Sequence, residues 1–166
     1  TDFNKSVAEG VRTRLAVISR LVEESAQAPH AKPHSRIERW LLSRLNRKIE
    51  RASELYSSLA LRELSLEIFY EVFSDLQWYM QRTTSPNLRE FFKTWSILIC
   101  PFMPHYAEEC HEMLGGKGFV SLAPFPRADD SKIDDQLEQG EGIVKQVHAD
   151  IEKISGLIGK KPAKVT

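Results

Sequence analysis

Two prolines three residues apart, Pro101 and Pro104, interrupt an otherwise apolar, helix-like run, Leu98 to Gly116, that reads LICPFMPHYAEECHEMLGG. Each proline fixes φ and removes a backbone donor, so no regular helix passes through both. The spacing therefore predicts a helix, a sharp kink and a short second helix. Pro104 suits the first turn of that second piece, Glu108 and Glu109 follow it, and Gly115-Gly116 supply a left-handed residue to end it. Tyr106, Cys110, Met113 and Leu114 recur at spacings of three and four, so one face packs and the two glutamates look outward. His105 stands at the kink.

The stretches before this run have helical periodicity. Ser6-Val7-Ala8-Glu9 matches a capping box, and Val7, Val11, Leu15, Ile18 and Val22 then predict an amphipathic helix to about Ala26. Ala28 to His34 carries Pro29 and Pro33 and reads as a loop. Ser35-Arg36-Ile37-Glu38 is a second capping box, after which Ile37, Leu41, Leu45, Ile49, Ala52 and Tyr56 line one side of a helix. Leu61 to Arg82 reads as a third helix, apolar over a wide arc, with Glu67, Glu71 and Asp75 left as a narrow acidic stripe; a helix this apolar is central in a bundle. Leu88, Phe91, Phe92, Trp95, Leu98 and Ile99 carry a fourth helix into the kink.

After Gly116 the pattern changes. Phe119 to Pro126 is too proline-rich for a helix and reads as a short extended strap with its aromatics held on the bundle. Ser131-Lys132-Ile133-Asp134 opens a last helix in which Ile133, Leu137, Val144, Val147, Ile151, Ile154 and Ile158 keep a near-heptad pattern. Gly140 and Gly142 weaken it locally, which leaves it open to being two pieces. The sum is an all-α antiparallel bundle of about five helices, with a kinked proline-containing helix and a strap.

The 166 residues, 42% of them apolar, suffice for one core. We expect the bundle over residues 1–159 and the start of a linker to a following domain over 160–166. The first residue is Thr1 and the last ones look extended, which suggests a piece of a longer protein, a processed chain being the alternative. Lys plus Arg and Asp plus Glu are equal at 23. There is thus no net field to steer a polyanion, and contact with nucleic acid has to come from a local patch. Cys100 and Cys110 lie in apolar stretches and read as buried reduced thiols. Neither a signal-like start nor an apolar run approaching about 20 residues is present. The expectation is a cytoplasmic monomer without membrane contact.

No catalytic constellation stands out. Glu108 and His111 have one half of a di-iron bundle motif, with no second half. Cys100, His105, Cys110 and His111 lack paired-ligand spacing for zinc, and His30 and His34 read as surface histidines. Phosphate loops and hydrolase or zincin motifs do not occur, so neither metal nor cofactor is expected in these residues. The remaining candidate is the second helix. At 100° per residue, Arg36, Arg44, Arg47 and Arg51 share an arc of about 80° facing away from the apolar stripe. Trp40 projects in the middle of that arc. A solvated basic face is one reading, which Glu50 and Glu54 favour. The other is a phosphate-binding face, since guanidinium forks match phosphate geometry and an exposed indole either stacks on a base or sugar or caps a neighbouring domain.

Pro101-Phe102-Met103-Pro104-His105-Tyr106-Ala107-Glu108-Glu109, Leu114-Gly115, Phe119-Val120-Ser121 and Pro124-Phe125-Pro126 together resemble the helical anticodon-binding domain of class I aminoacyl-tRNA synthetases of the leucine, isoleucine and valine group. Ile37 to Asn46, Leu61-Arg62, Ile68 to Glu71 and Asp75 to Arg82 resemble most the leucyl enzymes of archaeal and eukaryotic cytosolic type. His111 stands where the family usually carries a tryptophan, as does Phe125 between the last two prolines; both look like packing positions. The resemblance implies a parent ligase that activates leucine with ATP and charges tRNA-Leu, with this stretch as its tRNA-docking part, carrying no catalytic residue. It implies tRNA and the other domains of the same chain as partners, with Arg36, Trp40, Arg44, Arg47 and Arg51 as tRNA-contact candidates. A stand-alone helical scaffold that binds a partner protein is the alternative.

Overall fold

The computed structural model describes residues 4–28 and 35–158, so the expected 28–34 loop beyond Ala28, with His30 and His34, and the expected 160–166 linker lie outside the described residues. Helix α1 (Lys5–Gln27) is capped by Asn4 rather than by Ser6. Asn4 Oδ1 accepts from both the Ser6 amide, at 3.0 Å, and the Ser6 hydroxyl, at 2.7 Å, so Ser6 acts as donor where a cap must accept. Burial along α1 starts only at Ile18 and continues through Leu21, Val22 and Ser25; Val7 is exposed.

Helix α2 (Arg36–Ser57) has the expected capping box with both halves formed: Glu38 N donates to Ser35 Oγ at 3.2 Å, and Ser35 N to Glu38 Oε2 at 2.8 Å. The third expected helix is one rod with three parts: α3 (Leu61–Ser65), a π-helical segment (Leu66–Glu71) and α4 (Val72–Arg82). Its buried residues Leu64, Ile68, Val72 and Leu76 are spaced four apart. In a pure α-helix that row drifts by about 40° per step, and the wider π turn winds it back toward one side. Trp95 Nε1 donates to the Ile68 carbonyl in this segment at 2.8 Å.

Helix α5 (Arg89–Ile99) stops before the prolines, and α6 (Pro104–Met113) starts with Pro104 in its first turn. Gly115 follows it at φ 77°, the left-handed residue expected there. Ion pairs and hydrogen bonds fix the register. Arg44 meets Asp75 while Lys48 meets Glu67, and Trp95 meets Ile68 while Asn87 meets Tyr79, so α2 and α5 both run antiparallel to the central rod. The core between them holds Leu41, Leu45, Ile49, Leu64, Ile68, Leu76, Tyr79, Phe92, Trp95 and Leu98.

The strap carries a 3-10 turn (Val120–Leu122) and is held differently from expectation. Val120 is the buried residue, and Phe119 is 68% exposed. Phe125 meets Tyr56 edge-on, with ring centroids 5.6 Å apart. The main tether is polar: Glu108, expected to look outward, accepts from Val120 N at 2.8 Å, Ser121 N at 3.3 Å and Ser121 Oγ at 3.2 Å.

The described residues form two compact units that join in sequence between Ile133 and Asp134. The second is α7 (Asp135–Ile158), one helix that passes through Gly140 and Gly142 without a break. Asp134 Oδ1 accepts from Leu137 N at 2.9 Å to cap it. Among the described residues there is no strand, and no helix is long and apolar enough to cross a membrane.

Candidate functional site

The arginine row of α2 is not a uniform solvated face. Arg44, at the edge of the row nearest the apolar stripe, is drawn inward, its Nε 3.3 Å from Asp75 Oδ2 on α4. Lys48 Nζ lies 3.3 Å from that same oxygen and 3.0 Å from Glu67 Oε1. Lys48 is 2% exposed, and its helical angle falls inside the stripe of Ile37, Leu41 and Ala52. Two cations and two carboxylates thus close on one another between α2 and the central rod. A buried charge needs such partners, because an unpaired one is costly to desolvate. The expected acidic stripe of Glu67 and Asp75 is therefore engaged internally.

Arg47 is half-buried and Arg36 exposed. Arg51 is exposed, with its Nη1 2.7 Å from Glu54 Oε2, the dilution that the glutamates led us to expect. Trp40 corrects the expectation of an exposed, stacking indole: it is 5% exposed. Trp40, Ser43 and Asn46, each three residues on from the last, form a second buried row around α2. The segment around the 3-10 turn Asp130–Lys132 packs on this helix, and Asn46 Oδ1 accepts from Asp129 N at 2.8 Å while Asn46 Nδ2 donates to Leu42 O at 2.8 Å. Asn46 was missed because its partner lies 83 positions further along the chain. An open groove beside that row runs between α2, at Glu50, Ser53 and Glu54, and the strap, at Pro124, Phe125 and Arg127.

Elsewhere the polar groups serve the fold. Arg89 donates to the Ala26 carbonyl at 2.9 Å and to the Leu114 carbonyl at 3.2 Å, joining the C-terminal ends of α1 and α6. Tyr56, pushed up to about 12 by burial, donates to Leu98 O at 2.9 Å. Burial pushes the Cys110 thiol up to about 11 and raises Cys100 as well. Metal ligation and nucleophilic attack use the thiolate, which burial disfavours here. Among the described residues no cluster of three or more His, Cys, Asp or Glu is placed to hold a metal ion.

Comparison of the sequence with known proteins gives a family. A model described as the anticodon-binding domain of tRNA ligase matches residues 38–166. The leucine-tRNA ligase of Methanothrix thermoacetophila is 34% identical over 167 residues, covering 99% of this chain and 18% of that protein. The leucine-tRNA ligase of Aeropyrum pernix is 33% identical over 95% of this chain and 17% of its own length. That of Pyrococcus abyssi is 38% identical over 71% of this chain and 13% of its own length. The chain spans less than a fifth of the length of these relatives.

Proposed function

Because the chain belongs to the family of anticodon-binding domains of tRNA ligases, we propose that it is the tRNA-docking bundle of a leucine-tRNA ligase, whose parent activates leucine with ATP and charges tRNA-Leu. The observation that carries this reading is the match to leucine-tRNA ligases along 95–99% of the chain. Residues 1–159 are then the docking bundle and 160–166 lead to the following domain. The partners are tRNA and the rest of the same polypeptide, in a monomeric cytoplasmic enzyme.

The basic face of α2 supplies the docking chemistry, with its five candidates in two roles. Arg36, Arg47 and Arg51 face phosphates, and Glu54 holds Arg51 until a phosphate competes for it. Arg44 and Trp40 hold α2 in position, Arg44 through Asp75 and Trp40 by packing. Phosphate contacts of this kind set orientation and affinity without reading bases. In the full-length ligase, changing Arg36, Arg47 and Arg51 together to alanine is expected to raise the KM for tRNA. It should also lower the salt dependence of tRNA binding by about 1 logarithmic unit of slope per lost contact. An unchanged KM and slope in a folded triple variant would remove the face from the tRNA site.

A second reading, a helical scaffold, is favoured by Ile143, Val147, Ile154 and Leu157 of α7, all exposed. It requires a stable oligomer indifferent to RNA. Sedimentation of the chain with and without tRNA separates the two, since a monomer that shifts with tRNA rejects the scaffold.

A further inference from the structure

The groove between α2 and the strap has a lining that neither the core nor the arginine row accounts for. Its volume is about 650 Å³, within the range of small-ligand sites. Glu50, Ser53 and Glu54 stand on one wall and Pro124, Phe125 and Arg127 on the other. At 100° per residue, Glu54 shares the angle of Arg36 at the edge of the arginine arc, and Glu50 and Ser53 lie progressively outside it. The groove therefore begins where the arginine row ends.

Phe125 is 41% exposed although its place is fixed by the Tyr56 ring, 5.6 Å away, and by a proline on either side. A ring held in this way loses little freedom when a flat group stacks on it. Glu50 and Arg127 are both exposed and carry opposite charges on opposite walls, yet they form no ion pair with each other. Glu54 is already held by Arg51.

This mixture selects the chemistry of an occupant. A site for phosphate alone is weakened by the Glu50 carboxylate, and a site for a cationic side chain is weakened by Arg127 and by the adjoining arginine row. An apolar face laid over the groove would bury both charges without partners. An unpaired nucleotide uses the whole lining, with its base on the ring, its donors on the carboxylate and its phosphate on the guanidinium. A carboxylate only accepts, so it fits best the base edge that presents two adjacent donors, N1–H and N2–H2 of guanine. We propose that the groove holds one unpaired guanosine of the tRNA, stacked on Phe125, donating to Glu50 and held at its phosphate by Arg127. This site rests on the reading of the chain as a tRNA-docking bundle, and it adds base selection to a face that otherwise meets only phosphate.

The test is aminoacylation by the full-length ligase of tRNA-Leu transcripts in which each unpaired guanosine is replaced in turn by inosine, which lacks only the N2 amine. One transcript is expected to show a severalfold higher KM with the unaltered enzyme, and no difference from its guanosine parent with Glu50→Ala. Glu50 is exposed, so this replacement leaves the core intact. The proposal falls if no inosine transcript is affected, if the effect persists undiminished in Glu50→Ala, or if Glu50→Ala lowers KM for every transcript alike, which would make Glu50 a mere repellent of phosphate. Hydroxyl-radical footprinting reads the groove directly: Phe125 should react freely in the tRNA-free ligase and become severalfold less reactive with tRNA bound. Protection already complete without tRNA assigns the groove to polypeptide and overturns the proposal. Failure of the tRNA-docking reading shows separately, as an unchanged KM of the arginine variant for the unmodified transcript.

Discussion

Lys48 occupies an angle on α2 where the stripe from Ile37 to Tyr56 would otherwise be aliphatic. Its ammonium is held between Glu67 and Asp75, and Asp75 is itself almost fully buried. Removing the lysine leaves Arg44, itself partly exposed, facing that carboxylate. Lys48→Ala is therefore expected to destabilise the bundle by about 3 kcal/mol, measured by urea denaturation, since breaking a buried pair from one side exposes the full desolvation cost. A loss below about 1 kcal/mol would mean that water reaches the cluster and the pair behaves like a surface one. The sequence held a signal for this, a lysine inside an apolar stripe followed by an acidic row on the next, returning helix. It went unread because the two halves were assigned separately, the acids to a narrow stripe of their own. Trp40 offered less to go on. Helical angle alone put it among arginines, and the burial of a second side of α2 shows only in the folded packing.

The elements were legible where local chemistry determines them. The Ser35–Glu38 box, Pro104 in a first turn and Gly115 after α6 all follow from φ restrictions and unsatisfied helix-end groups, which depend on a few neighbouring residues. The π segment was not, since a row spaced four apart fits either a drifting α-helix or a rod with one wide turn, and the Trp95 indole that joins it comes from another helix. The strap was read as extended with aromatic anchors, whereas Glu108 of α6 holds it by two amides and a hydroxyl. Hydrogen bonds from Val120 first, and then from Ser121, hold the Glu108 carboxyl below its ordinary value of 4.5. A lowered folded pKa means that this tether is at full strength above the ordinary glutamate range and is lost as pH falls through the lowered value. The amide proton shifts of Val120 and Ser121 should titrate together with a midpoint below 4.5. A midpoint above it would show that the carboxylate is not what holds the strap.

At the scale of the molecule, the basic face of α2 was only partly legible. The arginine spacing marked that face, but that Arg44 is drawn inward from it required the position of Asp75. The same burial that corrects Trp40 has an optical consequence. Trp40, Trp78 and Trp95, the three tryptophans of the chain, are each no more than 5% exposed. The folded protein should fluoresce in the blue with little quenching by iodide, and redden as denaturant opens it. Red, readily quenched emission from the native chain would place an indole at the surface. Because Trp40 is buried on α2 and Trp95 is hydrogen-bonded to the central rod, single-tryptophan versions carry separate internal gauges for two elements of the bundle, with no dye attached.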